Sequence, residues 1–222
     1  MIVTGILIAF VLDAWWDDQI EQREIRDTLF AVHADFLSTQ NELITVLSAN
    51  RLYIEGVAAL ISLAPEEIKT AGSSKKVELV KLLPTGGLTF DPVLGSLDAF
   101  ISSGQINKTR NLEVRSLVGA WSGLMDEIGE DQNILIDMYM SQQERSVELG
   151  IYLMSAGGGL DNDSSIIADA ILKTVTEDAE MLNRLAAHSF AVRSLNEELV
   201  EVEVHLNRIL QALGEELGLE EY

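Results

Sequence analysis

His33, His188 and His205 are the only imidazoles in the chain, and imidazole is the side chain best suited to proton transfer near neutral pH or to holding a transition metal. Their spacing supports neither. No His-Glu-x-x-His helix occurs, and a di-iron bundle would need Glu three residues before a ligand histidine on two helices. Phe30, Leu185 and Val202 stand there instead. His33 and Asp35 are too few for a metal site, so all three histidines are expected at the surface or at a helix edge. There is no Gly-x-Ser-x-Gly nucleophile elbow, and Glu197-Glu198 reads as part of a solvated helix face. Gly86-Gly87 lacks the glycine pattern and strand context of a phosphate-binding turn. Lys75, Lys76 and Lys81 are the one local basic excess and read as a solvated face. Asp131 and Arg145, on one helical seam, are an acid and a base expected to pair with neighbouring helices or to face water. No catalytic, cofactor-binding or metal-ligating residue is assigned, and the chain reads as non-enzymatic with no cofactor.

Composition narrows the class further. The 222 residues carry 15 basic and 36 acidic side chains, a formal charge of -21. That balance opposes binding to a nucleic-acid backbone and opposes a polybasic grip on anionic lipid. The absence of cysteine removes disulfides and thiolate chemistry together. A hydrophobic content of 47% with only 3 prolines fits a folded, largely helical chain.

The elements that would position any such chemistry begin with MIVTGILIAFVLDAWW. Ile2, Val3, Ile6, Leu7, Ile8, Phe10, Val11 and Leu12 form an uncharged apolar run, and Trp15 and Trp16 stand where an aromatic belt meets the headgroups. The stretch lacks the basic start and the cleavage site of a signal peptide, so residues 1–16 are expected to be a transmembrane anchor. At about 1.5 Å per residue it is short against a hydrocarbon core of about 30 Å. It therefore either extends upstream or enters beside other membrane proteins. Six acids against two arginines between Asp13 and Asp27 place residues 17–222 outside the cytoplasm by the charge rule. The expected setting is a bacterial inner membrane with a cytoplasmic N-terminus and a periplasmic body.

Beyond the anchor the hydrophobic pattern becomes periodic. Ile25, Leu29, Val32, Phe36, Leu43, Leu47, Ile54, Val57 and Ile61 give a heptad-like seam, with the polar Thr39 and Asn50 at positions that can set register or oligomer state. Pro65 should close that helix. A helical insert spans 66–104, punctuated by Gly72-Ser73-Ser74 and Pro84-Thr85-Gly86-Gly87. Within it Asp91 should cap a helix from Pro92 to Ser103 whose packed face is Val93, Leu94, Leu97, Phe100 and Ile101, closed by a left-handed Gly104. A second seam runs through Leu112, Leu117, Trp121, Leu124, Ile128, Leu135, Met138, Leu149 and Tyr152, ending before Gly157-Gly158-Gly159. After caps between Asp161 and Ser165, a third runs unbroken from Ile167 through Val175, Leu182 and Leu185 to Leu213.

Several of these residues carry a resemblance. Leu97, Phe100, Ile101, Ser102, Ser103, Gly104 and Ile106, followed by Asn111, Leu112, Arg115 and Leu117, with Trp15-Trp16 at the anchor, resemble a domain-of-unknown-function family of bacterial single-pass membrane proteins over residues 1–125. The resemblance implies a single anchor and a helical extracytoplasmic domain, and no activity. The chain departs from that pattern in lacking basic residues before the anchor.

The expected fold is therefore all-α: a transmembrane helix continuous with an elongated, coiled-coil-like bundle of three long helices and a small helical insert. The expected role is a structural or accessory subunit of a larger membrane assembly. Its partners would be membrane lipid and other subunits, of a respiratory, photosynthetic or transport complex. A sensory module and a self-assembling homo-oligomer are the alternatives. Trp15, Trp16 and Trp121 are the side chains able to touch a lipid or pigment, with Trp121 expected in ordinary core.

Overall fold

The computed structural model describes residues 2–63, 65–82, 87, 89–151 and 164–219, and these are helical throughout their ordered elements, with no strand among them. Helix α1 spans Ile2–Ser62, so the apolar start and the first seam are one uninterrupted element. Short helices α2 (Pro65–Thr70) and α3 (Ser73–Leu82) follow, then α4 (Gly95–Ser102) and α5 (Gln105–Lys108). The long α6 (Leu112–Glu148) precedes α7 (Ser164–Glu177) and α8 (Ala179–Leu217). The chain forms two compact units. Unit 1 holds Met1–Glu42, Asp91–Leu124 and Val202–Tyr222; unit 2 holds Leu43–Phe90 and Met125–Glu201.

The buried face of α1 reads Ile25, Leu29, Val32, Phe36, Thr39, Leu43, Val46, Asn50, Tyr53, Val57 and Leu60, an unbroken alternation of four- and three-residue steps. The expected seam departs from it at Leu47, Ile54 and Ile61, of which Ile61 is exposed. Thr39 and Asn50 keep their seam positions, and steps of three rather than four from Leu43, Asn50 and Val57 carry Val46, Tyr53 and Leu60 inward. Both polar residues are buried within the chain. Thr39 Oγ1 donates to the Asp35 carbonyl at 2.9 Å, and Asn50 lies against Gly87.

In unit 1, Phe36 meets Trp121 edge-on with ring centroids 5.2 Å apart, and the ring of His205 stacks on the other aromatic partner, Trp121, at 6.3 Å. Gln40 Nε2 donates to Asn207 at 2.7 Å, which ties α1 to α8. In unit 2, α2 and α3 lie against α7. Lys76, expected to be solvated, is buried there and its Nζ reaches Asp169 at 2.5 Å.

Helix punctuation differs from expectation where caps come from other helices. The helix expected at Pro92 begins only at Gly95, because Asp91 does not cap it. The Asp91 N–H donates to Glu42 at 3.1 Å, and Asp35, on α1, accepts the Ser96 N–H at 2.7 Å. Gln132 satisfies both backbone groups of Phe90, accepting from its N–H and donating to its carbonyl. Val93, left outside the helix, is exposed, while Leu97 and Phe100 are buried as expected. Gly104 has the left-handed φ of 76° expected of it.

The third seam is broken at Asp178 without help from Pro or Gly. Asp178 accepts the Met181 N–H at 2.6 Å, an N-cap that starts α8. The break shifts the register, so Met181 rather than Leu182 follows Val175 into the core. Helix α6 begins with Leu112 exposed and Val114 buried. It ends at Glu148, with Gly150 in the left-handed region at φ 70°. Tyr152, Gly157-Gly158-Gly159, Asp161, Pro84-Thr85-Gly86 and Tyr222 lie outside the described residues.

Gly87 has φ 79°, and a Cβ there would come 3.0 Å from Asn50 Oδ1 and 3.3 Å from Val192 Cγ2. A left-handed L-residue costs about 1–2 kcal/mol before any contact is counted. Gly87→Ala is therefore expected to lower stability by at least about 1–2 kcal/mol, read as a drop in the denaturant midpoint; an unchanged midpoint would contradict this packing.

Candidate functional site

The surface that stands apart is the beginning of α1. Val3, Ile6, Leu7, Ile8, Phe10, Val11, Leu12, Trp15 and Trp16 are each more than half exposed. They point to every side of the helix, and consecutive residues such as Ile6, Leu7 and Ile8 leave no polar stripe. Ile2 falls within α1, but its side chain lies outside the described residues. Contiguous apolar surface of this kind marks a protein or membrane contact rather than a solvated face. Helix α1 is long and apolar enough to cross a membrane. The paired tryptophans, with centroids 6.3 Å apart, end the apolar run one residue before Asp17.

Just beyond them, unit 1 grips α1 through charge. Lys108 Nζ meets Glu21 at 2.5 Å, and Arg110 Nη2 bridges both carboxylate oxygens of Asp18 at 3.0 and 2.8 Å. The acidic turn after the tryptophans is thus partly neutralised by the α5–α6 connection. The residues of the family resemblance serve this connection. Asn111 Oδ1 caps α6 by accepting the N–H groups of Glu113 and Val114 at 3.0 and 3.1 Å. Its Nδ2 donates to Glu216, and Arg115 reaches back to the Asn107 carbonyl at 3.2 Å. The motif therefore has a structural reading: it fixes a turn.

One histidine departs from expectation, while His33 and His205 are half-buried at helix edges. His188 is buried rather than peripheral, with Nδ1 2.7 Å from the Tyr53 hydroxyl. Burial pushes the imidazole down to about 4, so it is neutral near pH 7, and burial raises the Tyr53 hydroxyl. Position 188 falls on the third seam, and that periodicity was the available signal. His205 is half-buried and donates from Nε2 to the Leu117 carbonyl at 2.9 Å. Trp121 is core, as expected.

Asp131 and Arg145 do not act together. Arg145 binds Asp178, with Glu148 at 2.6 Å, and the Asp178 bond holds the guanidinium firmly in its charged form. Asp131 instead faces Glu198. Desolvation, then a hydrogen bond to Asp131 and the charges of Asp131, Glu127 and Glu201, push the Glu198 carboxyl up to about 7. Among the described residues no group of three or more His, Cys, Asp or Glu side chains is arranged to hold a metal ion.

Compared with family models, curated proteins and solved structures, the chain matches none.

Two pH dependences of opposite sign follow. A histidine held near 4 in the fold but near 6.5 unfolded stabilises fully above pH 6.5, and that contribution is lost as pH falls towards 4. A carboxyl held near 7 in the fold but near 4.5 unfolded stabilises below pH 4.5, and that contribution is lost as pH rises through 7. Glu198→Gln is therefore expected to raise the melting temperature relative to the parent at pH 8 more than at pH 5. An equal offset at both would refute the raised Glu198 carboxyl.

Proposed function

We propose that this protein is a non-enzymatic, membrane-anchored accessory subunit of a larger membrane assembly. The observation that carries the reading is the fully exposed apolar start of α1, continuous with the helix whose later turns supply core to both units. A helix that is apolar on all sides belongs in hydrocarbon or between other membrane helices. The acidic residues following Trp16 favour a body outside the cytoplasm, periplasmic beside a bacterial inner membrane. The resemblance over residues 1–125 points to the same arrangement.

The subunit reading is favoured over self-assembly because Thr39 and Asn50, the positions able to set oligomer state, are enclosed within the chain itself. Mild-detergent extraction of native membranes, followed by identification of what co-migrates, tests the proposal. The expected result is a particle much larger than the 24.4 kDa chain with other polypeptides in fixed ratio. Migration at monomer size, plus detergent, would overturn it.

A further inference from the structure

Immediately beyond the tryptophan pair, unit 1 contains a cavity of about 260 Å³ whose charged lining is Arg23, Arg26, Arg110 and Glu216, with Gln19, Gln22 and Thr109 beside them. Three arginines facing one cavity, with a single carboxylate, are unexpected in a chain of formal charge -21. Their donors are only partly used. Arg110 bonds Asp18 through Nη2 alone, and Arg26 donates from Nη2 to the Leu217 carbonyl at 2.9 Å. Arg23 has no ion-pair or hydrogen-bond partner among the described residues. A guanidinium offers five N–H donors in a planar fork matched to phosphate oxygens, so the cavity presents donors in excess of what the fold consumes.

Its position along α1 defines the ligand. Ile8, Leu12, Trp15, Gln19, Gln22 and Arg26 follow one another at steps of four and three, so the apolar part of α1 and the cavity share one helix face. At 1.5 Å per residue, Gln19 lies about 6 Å and Arg23 about 12 Å beyond Trp15. Helical side chains lean towards the N-terminus, which carries the long Arg23 side chain back towards the tryptophans. The headgroup layer of one leaflet is about 5–8 Å thick. If Trp15 marks the hydrocarbon boundary, the cavity opens at headgroup depth.

We infer that this cavity binds one membrane phospholipid, its phosphodiester held by Arg23, Arg26 and Arg110 and its acyl chains lying along Ile8, Leu12 and Trp15. The inference rests on the membrane reading above. The carboxylate of Glu216 in the same lining favours a zwitterionic headgroup, whose ammonium it would face, and the overall negative charge disfavours an anionic one.

The test is lipid counting by native mass spectrometry on the full chain, purified from membranes in mild detergent and re-supplied with defined lipids. Arg23→Gln is the leading variant, since it removes no contact within the fold, and Arg51→Gln, exposed and away from the cavity, is the control. The wild type and the control are expected to retain one phosphatidylethanolamine per chain. Loss of a charge-assisted hydrogen bond, about 1.5–3 kcal/mol, should weaken retention by Arg23→Gln about tenfold or more. Arg23→Lys should restore part of it. A neutral diacylglycerol, lacking phosphate, should not be retained. Equal retention by wild type and Arg23→Gln would overturn the site while leaving the anchor intact, since both would still fractionate with membranes. Displacement of the lipid by millimolar inorganic phosphate would assign the cavity to free phosphate instead and overturn the lipid. Failure of the wild type to fractionate with membranes at all would overturn the anchor reading first.

Discussion

The structure depends on the continuity of α1. An α-helix without proline cannot change direction cheaply, because each backbone N–H is committed to the carbonyl four residues earlier. From Ile2 to Ser62 that ladder is unbroken. The residues that have no partner in the fold, up to Trp16, are thereby rigidly joined to those that begin the core at Ile25. Whatever solvates the first four turns fixes the pose of the helix that unit 1 is built around.

Polar side chains then decide where helices stop. Asp35 caps α4 from a different helix, Gln132 completes the backbone of Phe90, and Asp178 starts α8 while pairing with Arg145. Buried polar positions do similar work inside unit 2. Tyr53 and His188 are joined by a buried hydrogen bond, and such satisfied polar contacts select one packing among many of similar apolar content. The neutral state of His188 and the raised carboxyl of Glu198 set opposing pH limits on that packing.

The all-α class, the apolar start continuous with the first seam, the polar seam positions Thr39 and Asn50, and Gly104 were all legible in the sequence, because period and glycine stereochemistry are local properties. What was not legible depends on other helices. Asp91 looked like a cap, but its own N–H is taken by Glu42 and Asp35 performs the capping. The break at Asp178 carries a cap signature without any breaker, and apolar periodicity on both sides concealed it. The register error at Leu47, Ile54 and Ile61 arose from stepping by four after Leu43, Asn50 and Val57, where the packed helix steps by three. His188 was read as peripheral because histidine is seldom fully buried, although its position on the third seam argued otherwise. The arginine-lined cavity draws residues from three separated segments, and no one-dimensional pattern joins them.

The account stands or falls on whether the start of α1 lies in hydrocarbon. With no cysteine in the chain, a single one introduced at position 8, 12, 27 or 51 is the sole thiol, and its reaction with a membrane-impermeant maleimide can be followed in intact membranes. The expected pattern is no labelling at Ile8 or Leu12 until detergent is added, and ready labelling at Asp27 and Arg51 from one side only. Labelling of Ile8 and Leu12 at the rate of Asp27 in intact membranes would contradict it.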